Sequence, residues 1–418
     1  MKLLSFLFLP FLWKHVKNLS GTITRRNDIY CIKSKYLNNE FNETRLIDSI
    51  KLPKTRKFIP VPTSSMNTDT NMEYFGDIRV LQFNMLADGL CGLRADLGAF
   101  SRATLSDVIW ERRKTQLLYE ILQYDPDVIT LQECDHYYDF FSPELSQRGY
   151  DGLFAPKPAS ACLEVSENSD GCAIFIRRKK LRFLSSETLT FAFSKAALDE
   201  NVVVDDDKQI KAQNQVALIT LCELVNNRKG YDDVKNQLYS KTPPIIIATT
   251  HLKAAKNSIG EKTRYLEICQ LLTALDNVVN SMNSYKSQSP IVILTGDLNA
   301  APTNCSTGYS SLTYTAVKDH HLGLRSVLND DLISFQSNHN LWTTWKARKK
   351  SGKENVVKHC IDYIMYTPPS ESRPGAKATA ILQLFAADEV SEQLLPSSCY
   401  PSDHVAIAAD LSMMGPKK

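Results

Sequence analysis

Four short apolar runs in this chain share an ending that a buried strand has no reason to carry for its own sake. VLQF runs into Asn84, VITLQ into Glu133, IIIATT into His251 and Lys253, and IVILTG into Asp297 and Asn299. Runs this short and apolar, bounded by turn residues, read as strands buried on both faces. A polar side chain is costly in such a strand unless it stands where the strand leaves the sheet. In α/β proteins the ends of neighbouring strands converge, and ligands bind in the crevice beyond them. Two later segments add Asp362, in HCIDYIMY, and Asp403–His404, in PSDHVAI. One such ending is ordinary capping; six in one chain point to a shared site.

Between these runs the period changes. Residues 106–124 place Leu117, Leu118, Ile121 and Leu122 on one face, and residues 261–282 keep a 3.6-residue stripe from Ile268 to Met282. GCAIFIRR and QVALITLCEL read as strands joined by a long polar connection, and AILQLF and HVAIAADLSM as late strands. The pattern predicts an α/β protein of many strands with no internal repeat and no second folded domain. Residues 50–75 hold Pro53, Pro60 and Pro62 and then a polar stretch, which reads as a linker. The folded domain is thus expected over 76–418, with residues 1–75 outside it. The acidic run Asp205–Asp207, the basic run KARKK at 346–350 and the insertion at 226–241 read as solvated loops.

The residue types at the strand ends narrow the chemistry. Carboxylates, amides and histidines suit a hard divalent cation such as Mg2+, which prefers oxygen ligands and keeps several waters. Such a cation with carboxylates, a histidine and a nearby lysine describes a site for hydrolysing a phosphate ester. No G-x-S-x-G motif supports a serine nucleophile instead. The net charge of +3, from 49 basic and 46 acidic residues, excludes the whole chain as an electrostatic collector of nucleic acid. The ten cysteines form no C-x-x-C pair and no Cys/His cluster at zinc spacing, which predicts reduced thiols in a reducing compartment. The first 27 residues carry five Lys/Arg and no acid, and their apolar stretch, Leu3–Trp13, is too short for a transmembrane segment. This leader predicts a mitochondrial destination, with the cytoplasm as the alternative or additional site.

QFNML, LQECDHYYDFF, THLK, GDLNAAPT, IDYIMY and YPSDHVAI occur in order over about residues 77–412. Together they resemble the exonuclease–endonuclease–phosphatase superfamily, in the branch related to the poly(A) deadenylases. The resemblance implies a two-sheet α/β sandwich of DNase I-like type with its site at one end. It implies Mg2+ held chiefly through Glu133, with Asn84 and Asp403 in the metal and phosphate neighbourhood. Asp297 is then the residue that positions or deprotonates the attacking water, and Asn299 its hydrogen-bonding partner. His404 stabilises the phosphoryl group, and Asp362 fixes and charges its imidazole. His251, Lys253, Lys157 in APKP and Asn214 in QNQVAL match substrate contacts. The implied substrates are NADP+ and NADPH, which lose the 2′-phosphate, with a link to circadian and metabolic control. The alternative is a 3′-exonuclease that shortens poly(A) tails, with mRNA reached only through partner proteins. One position departs from the pattern. A second strong cation is expected two residues after Lys253, and Ala255 stands there, followed by Lys256. A lysine in that place is a point charge without the bidentate reach of a guanidinium.

Overall fold

A computed structural model describes residues 50–61, 72–91, 99–194, 211–225, 242–285, 289–302, 311–328, 341–350 and 352–417. The basic leader, Asp205–Asp207 and the 226–241 insertion lie outside the described residues.

One sheet is built from β1 (Phe58–Pro60), β2 (Tyr74–Asn84), β3 (Val128–Gln132), β4 (Tyr150–Pro156) and β5 (Gly171–Arg177), completed by two C-terminal strands. The second sheet takes β6 (Leu181–Phe193), β7 (Lys211–Leu224), β8 (Ile245–His251), β9 (Ile291–Asp297) and β10 (Arg325–Ser326). A hairpin follows, β11 (Thr344–Lys350) and β12 (Lys353–His359), and then β13 (Asp362–Tyr366), which joins the second sheet. The strands that complete the first sheet are β14 (Gly375–Leu382) and β15 (Ile407–Met414). Their orders are β1-β14-β15-β2-β3-β5-β4 and β10-β13-β9-β8-β7-β6. The helices are α1 (Leu105–Val108), α2 (Trp110–Leu122), α3 (Ser142–Gln147), α4 (Ser258–Tyr285) and α5 (Leu312–Lys318).

Strand alternation explains why β8 and β9 are apolar throughout. Ile245, Ile247, Ile291 and Ile293 share a core with Val80, Phe83, Ile129 and Leu131 of the first sheet. Ile246, Ala248, Val292 and Leu294 point the other way, onto Ile268, Leu271, Leu272 and Leu275 of α4. Each strand is therefore covered on both faces. Register then fixes the strand ends. β8 and β9 run parallel with His251 opposite Asp297, and β13 runs antiparallel to β9 with Asp362 opposite Asp297. β2 and β3 are parallel with Asn84 opposite Gln132, which puts Glu133 one residue beyond the pair. Gly296 has φ +140, and a Cβ there would stand 2.1 Å from the Thr250 carbonyl oxygen, so only glycine fits one residue before Asp297.

Several sequence-based expectations need correction. The folded domain does not begin at 76. Phe58–Pro60 is an edge strand on β14, and Arg56 is buried, with its guanidinium 2.6 Å from the buried Glu120 carboxylate. The strand is three residues long and ends in a proline, which an edge tolerates, so no period marked it. The polar connection after GCAIFIRR contains the 13-residue β6, most of whose residues are exposed or half-buried at the sheet edge. KARKK is not a loop; it lies in β11. The 106–124 helix is interrupted at Ile109, whose extended backbone separates α1 from α2. The eight described cysteines are free thiols. Among the described residues no helix is long and apolar enough to cross a membrane.

Candidate active site

Glu133 and Asp297 meet across the two sheets on a single amide. Asn84 Nδ2 donates to Glu133 Oε1 at 3.1 Å and to Asp297 Oδ2 at 3.0 Å. Asn84 Oδ1 is turned away and accepts the Leu86 N–H at 3.2 Å. Glu133 Oε2 takes the Ala87 N–H at 3.2 Å, and Asp297 Oδ1 takes the Asn299 N–H at 2.8 Å. Glu133 and Asn299 both have left-handed backbones, φ 54 and φ 50, where a residue with a Cβ is uncommon. That cost, on the order of 1 kcal/mol each, is accepted where the chain must turn a carboxylate or an amide out of the sheet. His251 lies between the two carboxylates, with Nε2 3.6 Å from Asp297 and Nδ1 3.9 Å from Glu133. Burial, reinforced by the Lys157 charge, pushes its imidazole down to about 4, so it is neutral at physiological pH.

His404 has the opposite electrostatics. Its Nδ1–H donates to Asp362 Oδ2 at 2.8 Å, and its Nε2 lies 3.7 Å from Asp297 Oδ2. Burial opposes the charged ring, yet the Asp362 and Asp297 carboxylates outweigh it and raise the imidazole to about 9. Asp362 is itself fixed: Gln82 Nε2 donates to Oδ1 at 3.1 Å and Thr343 Oγ1 to Oδ2 at 2.6 Å. An imidazolium held this way presents Nε2–H toward Asp297.

Cations surround this centre. Lys157 and Asp170 form a buried pair at 2.6 Å, and Lys157 acts electrostatically on Glu133 and His251. Asn214 Oδ1 accepts the Ala159 N–H at 2.8 Å, bracing the turn that carries Lys157. From β11, Lys346 Nζ reaches Asp403 Oδ2 at 2.5 Å and His404 Nε2 at 3.4 Å, and Arg348 lies 3.4 Å from the same Asp403 oxygen. These cations hold the Asp403 carboxyl well below the usual carboxylate range against its burial. Lys253 is exposed two residues beyond His251, and its N–H donates to the buried Glu267 at 2.9 Å. Lys256 lies within electrostatic reach of Asp297 and Lys346. Arg264 does not replace the cation absent at Ala255. Its guanidinium donates to the Lys253 and Ala255 carbonyls at 2.8 and 2.5 Å and pairs with Glu261 at 2.7 Å.

The sequence-predicted residues therefore divide. Asn84, Glu133, His251, Asp297, Asp362 and His404 converge. Asn299 reaches Asp297 through its main-chain N–H, while its side chain donates to the Leu252 carbonyl at 3.0 Å. Asp403 pairs with Lys346 and Arg348, leaving Oδ1 buried without a hydrogen-bond partner. Asn84 presents its NH2 group to the carboxylates, so its oxygen is not the atom offered to a cation. Sequence reading missed Lys346 and Arg348; their alternation along TWKAR was the signal, since period two puts both on one strand face. It also missed Arg113, fully buried, which donates to the Met85 and Pro401 carbonyls at 2.8 Å and so ties the segment after Asn84 to the one before Asp403.

A hard cation fits the centre. Asp297 is buried and Glu133 largely so, and the two carboxylates share one neutral amide beside a neutral histidine, a donor set that suits an oxygen-preferring ion. Ligand atoms of Asp297, Asp362 and His404 also lie within 4.8 Å of one another. Asp362 spends both oxygens on Gln82, Thr343 and His404, so this trio reads as a carboxylate–imidazole pair beside a separate acid. Glu133 is the carboxylate left to hold a divalent ion, with Asp297 beside it.

A profile of the Endonuclease/Exonuclease/phosphatase family matches residues 81–404, from the strand that delivers Asn84 to the histidine of the Asp362–His404 pair. Nocturnin of Mus musculus is 32% identical over 352 residues, covering 83% of this chain and 68% of its own length. Nocturnin of Homo sapiens is 32% identical over 337 residues, covering 80% of this chain and 65% of its own. The chain thus spans about two thirds of the length of these relatives. The solved human Nocturnin catalytic domain with bound sulfate anion aligns at TM-score 0.56 and 28% identity, covering 86% of this chain and 97% of that one. Two mixed sheets face to face, strand-end acids converging at one end and a family match across every one of them lead to one conclusion: the chain belongs to the endonuclease/exonuclease/phosphatase family.

Proposed function

We propose that this chain is a Mg2+-dependent phosphatase that removes the 2′-phosphate of NADP+ and NADPH to give NAD+ and NADH. The observation that carries the reading is a set of four lysines, Lys157, Lys253, Lys256 and Lys346, brought by three separate segments around or beside the Glu133–Asp297 carboxylate pair. Such a set suits a compact phosphate better than a long strand, and the chain's net charge of +3 offers little else to a polynucleotide. The similarity to the Nocturnin relatives supports the same branch of the family.

Glu133 would hold Mg2+ with Asp297 beside it, and the ion when bound would supply Lewis-acid neutralisation of the phosphoryl oxygens. The chain's own residues do the rest. Asp297, its Oδ1 held by the Asn299 N–H and its Oδ2 by the Asn84 amide, orients a water and accepts its proton as the oxygen attacks phosphorus. The P–O bond to the ribose 2′-oxygen breaks on the opposite side, and the leaving oxygen takes a proton from solvent to become the 2′-hydroxyl. His404, kept as imidazolium by Asp362, stabilises the phosphoryl charge with Nε2–H. Lys253 and Lys346 grip the substrate.

The test offers the full chain, with Mg2+, both NADPH and a 5′-labelled oligo(A). Phosphate release with intact oligo(A) is expected. Shortened oligo(A) with intact NADPH replaces the proposal with the 3′-exonuclease reading, in which partner proteins bring the mRNA. Glu133→Ala abolishes either activity. The leader extends the proposal to mitochondria; a fluorescent fusion of residues 1–49 that is secreted defeats that part.

A further inference from the structure

Asp276 lies on α4, eighteen residues after its first residue Ser258, so at 1.5 Å per residue it is roughly 27 Å along the helix from the end near the catalytic loop. Its carboxylate faces two adjacent histidines in the turn after α5. Asp276 Oδ2 is 3.3 Å from His320 Nε2, and Asp276 Oδ1 is 3.0 Å from His321 Nε2. One ligand atom from each of the three residues lies within 4.8 Å of the others. The two imidazoles are 4.3 Å apart at 39° rather than stacked flat.

Two details favour a common ion over simple ion pairing. Ligand atoms around a tetrahedral Zn2+ with bonds of about 2.0–2.1 Å stand about 3.3 Å apart; the two Asp276–histidine approaches, 3.3 and 3.0 Å on different carboxylate oxygens, are of that order, and one ligand atom of each residue lies within 4.8 Å of the others. In addition, Asp276 Oδ1 is buried and makes no hydrogen bond of acceptable geometry, although His321 Nε2 is 3.0 Å away. Two such atoms that approach without aligning a donor are aimed past each other, as lone pairs converging on a third atom are. We propose that Asp276, His320 and His321 form a binding site for Zn2+, with water as the fourth ligand, that fastens α4 to the turn after α5. Metal on His320 Nε2 puts the ring proton on Nδ1. That gives up only a 3.4 Å contact from the Leu322 N–H, too long to be an effective hydrogen bond. His321 is 70% exposed, which gives the ion a route from solvent. The site is independent of the catalytic proposal.

The sequence shows it as Asp319-His320-His321, a short run whose partner is 44 residues upstream. The experiment titrates the full chain, stripped with chelator, with Zn2+ in a Zn2+ buffer and reads bound metal per chain and the thermal midpoint. Co2+ is added in parallel for its visible spectrum. The Asp297→Asn background removes zinc held at the catalytic carboxylates. In that background one equivalent of Zn2+ binds and raises the midpoint, and His321→Ala, an exposed change that leaves the fold intact by circular dichroism, loses both. His320→Gln behaves the same way, and His321→Ala in the otherwise natural chain keeps its Mg2+-supported activity. Zinc bound equally by the Asp297→Asn chain with and without His321 overturns the site. So does zinc that disappears with Asp297→Asn alone.

Discussion

The centre of the site and its rim are built by different means. Glu133, His251, Asp297 and Asp362 sit at or just beyond the ends of central strands, where register leaves each one a single position. Asp297 and Asp362 are almost wholly buried. The rim comes from the β11–β12 hairpin and the segment after β8, whose Lys253 and Lys256 are exposed. The hairpin pairs with neither main sheet and touches the centre only at its edge, where Thr344, Lys346 and Arg348 meet the Asp403–His404 segment. The chemistry is set by the sheets, and the grip on substrate is added from outside them.

The difference is sharpest if the centre is changed first. Asp297→Asn lowers kcat by roughly 10²–10⁴-fold with KM little moved; a change confined to KM would move Asp297 to the rim. Asp362→Asn comes next. His404 must be protonated to act, so activity falls as pH rises through its pKa, about 9 in the intact chain. Without the Asp362 charge that alkaline limb slides toward the ordinary value of 6.5, which costs roughly thirtyfold at pH 8. A limb that stays near 9 in the variant breaks the pairing. Rim changes are smaller and of another kind: Lys253→Ala raises KM about tenfold and leaves kcat within about twofold. A kcat loss larger than the KM change would erase the distinction between the two regions.

The smallest effect on turnover belongs to Glu267, under the rim. Burial pushes this carboxyl up to about 7 from 4.5 even though it accepts the Lys253 N–H. An acid with a raised folded pKa binds more protons folded than unfolded between those values, so its contribution to stability falls as pH rises from about 4.5 to about 7. Glu267→Gln removes that fall. Urea unfolding at pH 5.5 and pH 7.5 reads it as a loss of pH dependence, and an unaltered profile rules out Glu267 as its source.

What was legible follows the same division. The acids at the centre could be read because strands buried on both faces are apolar until they leave the sheet, which makes each polar terminus conspicuous. Lys346 and Arg348 were lost in a basic run because an exposed hairpin has no apolar period to set it apart from a loop. Phe58–Pro60 and β6 were lost for the related reason that edge strands face water. Arg56 was missed because its partner Glu120 is 64 residues away, and no local pattern announces a long-range buried pair.

The order β1-β14-β15-β2-β3-β5-β4 also governs how the chain must be made. β15, which follows Asp403 and His404, lies between β14 and β2 in the middle of its sheet. Until the ribosome has delivered residues 407–414, that sheet exists as two fragments, each with an unpaired edge that invites association with other chains. Long-range pairing of this kind is slow to form. During synthesis the growing protein is therefore both inert and adhesive, and its dependence on chaperones should be greatest just before β15 emerges.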